Sequence, residues 1–180
     1  MLSHPHFALM LTVALAAAAL LHSASADTSS ALDLPTTMTN DEAGFAMSYP
    51  PSWGVTTYTG ANQIDFNDGL TFVIVDAIEL DALPTSDPAA LLQLLVDDLQ
   101  AFLSDLEMTD LPGQVVGGLD AIGISYTGTD EDLDVRGTVL VMADERYAYL
   151  INFEAAAAEY ASYEATFHAM LASFQRGLTE

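Results

Sequence analysis

The sequence predicts an α+β domain in which a β-sheet that is apolar on both faces is covered by helices on both faces. The first observation is the strand 147–153, where Tyr147, Tyr149, Ile151 and Phe153 alternate with Ala148 and Leu150. A strand of this kind needs a cover on each side. The second observation is a helix directly after it, whose apolar residues recur every three or four positions: Tyr160, Tyr163, Phe167, Met170, Leu171 and Phe174.

Four short strands are predicted before the first helix, at residues 45–49, 55–59, 64–66 and 70–77. The first ends at Pro50-Pro51, because proline cannot donate to a β-ladder. The last two flank Asn67-Asp68-Gly69, which is a good hairpin turn since Asp-Gly tolerates positive φ. Strand 70–77 is apolar on both faces and is therefore predicted to be central.

A helix is predicted to begin at Asp87-Pro88, where Asp can accept from the free N–H groups of the first turn. Its predicted buried stripe is Leu92, Leu95, Val96, Leu99, Leu103 and Leu106. The later part of the chain is predicted to contain a strand at 121–126, an acidic loop at 127–134, and a final hairpin of strands 135–143 and 147–154.

The N-terminus has the pattern of a signal peptide. Residues 7–21 are apolar apart from Thr12, and Ala24-Ser25-Ala26 is a signal-peptidase site, although His4 and His6 stand where Lys or Arg is usual. A membrane anchor is the alternative, but the run is shorter than the ~20 residues that span a bilayer. We expect cleavage after Ala26, a flexible leader over 27–43 and a single domain over 44–176. The chain has no cysteine for a lipid anchor, so we expect a periplasmic or secreted protein.

The chain is strongly acidic. It has 26 Asp and Glu residues against three Arg, and its net charge is −23. Such a surface repels phosphates, so nucleic acid and anionic membranes are poor partners. A basic patch on a protein, or divalent cations, would suit it. The Asp-rich, Lys-free composition indicates either a saline habitat or a high-GC genome with an acidic exported proteome, and the sequence leaves both open.

Motifs of catalytic sites are scarce. There is no Gly-x-Ser-x-Gly elbow and no Gly-rich phosphate loop. After cleavage His168 is the single histidine, which with no cysteine excludes a zinc site of N and S ligands. We expect His168 to be a half-exposed helix residue, and Trp53 to be a core residue rather than a ligand platform.

One acidic segment has the ligand chemistry of a calcium site. Asp130, Asp132 and Asp134 supply carboxylates at alternate positions, and Ca²⁺ takes six to eight oxygen ligands in irregular geometry. The EF-hand pattern fails, because Val135 occupies the sixth position and Val141 the twelfth. The three aspartates are therefore a calcium candidate, and a solvated loop is the alternative.

Three segments resemble the PsbP/Mog1/DcrB-like superfamily: Phe45-x-Met-x-Tyr-Pro-Pro-Ser-Trp53, the Gly-Gly-Leu-Asp-Ala121 turn, and Tyr149-Leu-Ile-Asn-Phe153 followed by Met170-Leu-Ala-Ser-Phe174. The resemblance covers 44–174. It implies an α/β/α sandwich around a central, mainly antiparallel sheet of about six strands, and it implies no catalytic residues. Plant PsbP proteins dock through Lys-rich surfaces, and this chain has no Lys. Exported bacterial members with accessory functions are the nearer analogy.

The sequence therefore predicts an exported, monomeric, non-enzymatic accessory or binding protein without a cofactor. Two alternatives stay open. One is a hydrolase-type enzyme that uses carboxylates near a strand end, such as Asp76 and Glu79. The other is an assembly factor for a membrane complex.

Overall fold

The computed structural model describes residue 32 and residues 34–58 and 61–177. The predicted signal peptide lies outside these residues. The described part contains eleven strands, two α-helices and a short 3-10 helix at Leu80–Ala82. The elements are β1 (Thr36–Asn40), β2 (Phe45–Tyr49), β3 (Gly54–Thr57), β4 (Gln63–Asn67), β5 (Thr71–Glu79), α1 (Pro88–Phe102), β6 (Ser104–Asp110), β7 (Gln114–Val116), β8 (Leu119–Asp130), β9 (Leu133–Ala143), β10 (Tyr147–Ala156), α2 (Tyr160–Ser173) and β11 (Gln175–Arg176).

Two antiparallel sheets form the body of the molecule. The large one has the order β3-β4-β5-β10-β9-β8-β6, with β7 also pairing with β8, and the small one has the order β1-β2-β11. The antiparallel α+β class is confirmed, but the sheet is larger than the six strands expected. The prediction missed β1, β6, β7 and β11, in which, taken together, most residues are polar and most are exposed or partly buried.

A helix covers each face of the large sheet, and this confirms the predicted sandwich. On one face α2 packs over β10 and β5, and Phe167 and Met170 join Tyr149, Ile151 and Phe153 in a first core. On the other face α1 packs over β8, β9 and β6, and forms a second core that includes Leu91, Leu95, Leu99, Val139, Val141 and Leu150. The alternation along β10 divides its side chains between the two cores.

Helix α1 begins as predicted and ends early. The Asp87 side chain accepts a hydrogen bond from the backbone N–H of Ala89 at 3.1 Å. The helix ends at Phe102, so the predicted extension to Leu106 is wrong. Leu103 is still buried after the helix, while Leu106 lies in β6 and is partly buried. Their spacing of three residues fits a helix as well as this turn into a strand, and no proline or glycine marks the end.

Two further segments predicted to be irregular are strands. Strand β1 lies within the segment expected to be a flexible leader, and it pairs with β2 through five Cα pairs. Strands β8 and β9 continue through the predicted acidic loop, so that Glu131 and Asp132 alone form the turn. Backbone hydrogen bonds to a neighbouring strand hold polar residues in these strands, and the local sequence does not reveal that neighbour.

A buried side-chain hydrogen bond spans three neighbouring strands on the α1 face of the large sheet. Tyr126 on β8, Gly137 on β9 and Glu154 on β10 lie in one cross-strand row. The Tyr126 ring crosses the strand at Gly137, and its hydroxyl donates to Glu154 Oε2 at 2.6 Å. Both side chains are buried, and burial raises the pKa of Glu154. The bond satisfies a carboxylate that would otherwise be costly to bury.

We expect Gly137→Ala to destabilise the fold. A Cβ at this position would overlap Tyr126 Cζ, so the ring must move and Glu154 loses its donor. The free energy of unfolding should fall by about 2–4 kcal/mol, measured by urea unfolding. Gly113→Ala is the control, because a Cβ there meets nothing within 4 Å. Equal stabilities of the two variants would contradict this account of the row.

Candidate functional site

A groove lies between α2 and the strands β8 and β9, on the face of the first core. It has a volume of about 360 Å³ and is partly open to solvent. The connection between β6 and β7, from Leu111 to Gln114, forms one of its sides. Small-molecule sites begin at about 300 Å³, so the groove is large enough for a small ligand.

A buried hydroxyl pair and an exposed cation line the groove. Thr138 Oγ1 lies 2.8 Å from the Tyr160 hydroxyl, and both residues are buried. The guanidinium carbon of Arg136 lies 4.4 Å from the centre of the Tyr160 ring, within cation–π distance. The ring fixes the position of the Arg136 charge without using its N–H donors.

Polar and apolar residues both line the groove, and on α2 they share one helix face. Ser125, Gln114, Glu164 and His168 supply hydrogen-bonding groups in addition to Arg136. The apolar wall consists of Leu111, Pro112, Phe167 and Leu171. His168 is exposed on α2, and the structure places it on the groove lining, a position that its helical spacing did not predict.

A second, shallower depression is bounded by Leu119, Asp144, Glu145, Arg146 and Arg176, with a volume of about 420 Å³. The Asp144 carboxylate accepts from the backbone N–H groups of Arg146 and Tyr147, from the Tyr149 hydroxyl at 3.0 Å, and pairs with Arg176 at 3.6 Å. Burial opposes ionisation, but these donors together lower the pKa of Asp144. The Asp144 charge is already paired within the fold, and its contacts with the turn amides and with Arg176 hold the β9–β10 turn against β11.

A pair of carboxylates lies on the α1 face of the sheet, beyond the helix. Asp76 on β5 is opposite Gln63 on β4, and Asp65 is two residues further along β4 on the same face. Gln63 Nε2 donates to Asp65 at 2.7 Å, and the Tyr58 hydroxyl donates to its other oxygen. Burial, and then the charge of Asp65, raise the pKa of Asp76 to about 6. The pKa of Asp76 therefore lies above the ordinary range of a carboxyl group.

The structure does not bring together Asp76 and Glu79, the residues of the predicted enzyme alternative. They are three positions apart on β5, so their side chains leave opposite faces of the sheet. Glu79 instead accepts from Arg146 at 3.2 Å, in an exposed ion pair. The neighbour of Asp76 is Asp65, which the strand register alone reveals.

The calcium candidates occupy a tight hairpin. Asp130 pairs with Leu133 and Thr129 with Asp134, so Asp130 and Asp134 project from opposite faces. Asp134 accepts from the Thr129 hydroxyl at 3.0 Å, and Asp132 lies in the turn. Within the described ranges, no group of three or more His, Asp or Glu residues is arranged to hold a metal ion.

The aromatic residues chosen from the sequence pack as structural residues. Trp53 is buried in the first core, with its ring centre 6.1 Å from that of Tyr163. Tyr147, Tyr149 and Tyr160 are buried there too. No helix in the part of the chain that the structure describes is both long and apolar enough to cross a membrane.

Comparisons with known proteins identify the fold. No family model and no curated protein match the chain. Among solved structures, cyanobacterial PsbP (CyanoP) from Synechocystis sp. PCC 6803 is similar at 12% identity, with a TM-score of 0.56 over 83% of this chain and 98% of that one.

The chain has the PsbP/Mog1-like fold.

Two further proteins share it. The Ran-binding protein Mog1p of Saccharomyces cerevisiae is 14% identical, with a TM-score of 0.55 over 80% of this chain and 95% of that one. LpqN, described as involved in cell envelope biogenesis of Mycobacterium tuberculosis, is 13% identical, with a TM-score of 0.54 over 78% and 88%. The resemblance predicted from the sequence motifs is confirmed for the PsbP/Mog1-like fold. At these identities the likeness concerns the fold alone.

The raised pKa of Asp76 predicts a pH dependence of stability. The unfolded chain ionises this carboxyl near pH 4, whereas the folded chain keeps the proton up to about pH 6. Stability is therefore lost as the pH rises from about 4 to about 6, by about 2 kcal/mol once the remaining solvent exposure is allowed for. We expect Asp76→Asn to match the wild type at pH 4 and to be more stable at pH 7, in urea unfolding. Exposed Asp120→Asn is the control. An equal gain at both pH values would contradict the assignment.

Calcium binding by Asp130, Asp132 and Asp134 stays a prediction, and it requires the hairpin to rearrange. We expect isothermal titration calorimetry with millimolar Ca²⁺ in high NaCl to give a saturable heat of binding. High salt screens non-specific attraction to the acidic surface and leaves specific coordination. Asp132→Asn should abolish that heat. Its absence in the wild type would identify the segment as an ordinary acidic hairpin.

Proposed function

We propose that this is an exported accessory protein that carries out no chemistry and binds a protein partner with a basic surface. The observation that carries the proposal is an acidic edge of the large sheet. This acidic edge consists of Asp97 on α1, Asp105, Glu107 and Asp110 on β6, and Glu131 and Asp132 in the β8–β9 turn.

The acidic edge lies at an open end of the sheet. Strand β6 is last in the strand order and pairs with β8 alone, so the backbone groups of its other side are available. Asp105, Glu107 and Asp110 are exposed along it, and Ser104 pairs with Thr129 close to the β8–β9 turn. Charged side chains on an edge strand prevent pairing between copies of a protein. Glu107 and Asp110 are three positions apart, so both faces of this strand present negative charge to a partner of opposite sign.

The charges of the acidic edge are not neutralised within the fold. In the described residues the arginines form salt bridges with two carboxylates, Glu79 and Asp144, and neither belongs to the acidic edge. Burial, and then the charge of Asp97, raise the pKa of Asp98, which lies beside the acidic edge on α1. A basic surface would relieve this repulsion, and its attraction would weaken as salt is added.

Two proteins of the same fold support a binding role and a place in the cell envelope, respectively. Mog1p is a Ran-binding protein, and LpqN is involved in cell envelope biogenesis. The predicted signal peptide agrees with a place in the cell envelope. An assembly factor for a membrane complex is a special case of the same role, since it too would act by binding a protein.

The proposal predicts a salt-dependent partner that requires the acidic edge. Cross-linking and pull-down from the native envelope fraction should capture a basic protein with the wild type and lose it at high NaCl. The variant Asp97→Asn, Glu107→Gln, Asp105→Asn should fail to capture it, because three charges of the acidic edge are removed. Asparagine tolerates the positive φ of 51° at position 105.

The matched control removes three exposed charges elsewhere: Asp41→Asn, Glu42→Gln, Glu145→Gln. It should capture the same protein as the wild type does. Size-exclusion chromatography checks that the edge variant stays monomeric. Equal capture by both variants, or capture that salt does not weaken, would contradict the proposal.

A further inference from the structure

We propose that the groove between α2 and strands β8 and β9 binds a small monocarboxylate with an apolar body, and that Arg136 holds its carboxylate. The proposal goes beyond the binding of a protein at the acidic edge, because it concerns a different surface and a different class of ligand. It rests on the position of one cation, the groups around it and the shape of the groove.

Arg136 differs from the other two arginines of the described chain. Arg146 pairs with Glu79 and Arg176 with Asp144. Among the described residues Arg136 has no carboxylate partner within 4.0 Å and donates no side-chain hydrogen bond. In a chain of net charge −23, Arg136 is thus a cation that lines a groove and forms no salt bridge with a described carboxylate, although Glu164 lines the same groove. A planar guanidinium with free N–H groups binds a carboxylate through two parallel hydrogen bonds.

The surrounding groups define the rest of the ligand. Ser125, Gln114 and His168, which also line the groove, can donate further hydrogen bonds. The wall of Leu111, Pro112, Phe167 and Leu171 offers an apolar surface. A molecule with a carboxylate and a hydrocarbon body can use both kinds of group.

The remaining charges limit the ligand to a single negative charge. Glu164 lines the same groove, and the net charge of the chain opposes the approach of polyvalent anions such as phosphates. The volume of about 360 Å³ limits the body to a short chain or a single ring. Hexanoate and phenylacetate are therefore suitable probes.

The test is a titration of the full chain with each probe, followed by NMR of the backbone amides. Hexanoate and phenylacetate should shift the signals of Ser125, Thr138 and His168, and hexanamide should not, because it lacks the charge. Arg136→Gln should weaken binding about tenfold or more, because the charge-assisted hydrogen bonds to the carboxylate are lost. Arg146→Gln is the matched control: this arginine also lies over a tyrosine ring, 4.8 Å from the centre of Tyr147, and is outside the groove.

A substitution that blocks the groove and a peptide ligand complete the test. Gly113→Phe places a large side chain at the groove lining, where a Cβ meets no neighbour, and should block binding even if Arg136→Gln folds poorly. Acetyl-alanyl-leucine tests the source of the carboxylate: tighter binding than hexanoate identifies a peptide end, and weaker binding a free acid. No shift with either carboxylate at several millimolar, or equal binding by wild type and Arg136→Gln, would overturn the proposal.

Discussion

Strand β10 contributes buried side chains to both faces of the large sheet, and it pairs along its two edges with β5 and β9. Both faces of the sheet must therefore be shielded from water, and one helix packs on each face. The rest of the architecture follows from this constraint. A short turn joins β10 to α2, which covers one face, while α1 follows β5 in the chain and covers the opposite face by packing on β6, β8 and β9. Burial of ordinary apolar side chains on both sides replaces the disulfides that this cysteine-free chain does not have.

The pleat of the same sheet decides which polar groups meet. Asp76 faces Asp65 rather than Glu79, and Asp130 faces away from Asp134, because side chains of a strand alternate between its faces. The row of Tyr126, Gly137 and Glu154 is the opposite case, where the register brings distant residues into contact. A glycine between two large polar residues permits that contact, since any side chain would separate them.

The fold was largely predictable because its strongest signals are local. The alternation around Tyr149 and Ile151, the stripe of α2 and the cap at Asp87 each fix an element without knowledge of its neighbours. Strands β1, β6 and β7 were missed because a neighbour, and not their own pattern, makes them strands. The groove could not be predicted for the same reason: Arg136, Tyr160 and His168 come from a strand and a helix that only the packing brings together. The single local sign was an arginine in a chain that has just three.

The small sheet has a consequence for how the chain reaches its final state. Strand β2, near the start of the described residues, finds its partner β11 roughly 130 residues later, a separation that makes closure slow. Phe45 and Met47 of β2 are fully buried, and Phe174 beside β11 packs on Phe45. In a chain whose helix α2 and strand β11 have not yet been synthesised, the side chains of Phe45 and Met47 would lack this cover. The first core is therefore complete only once the C-terminal part of the described chain has packed against β2.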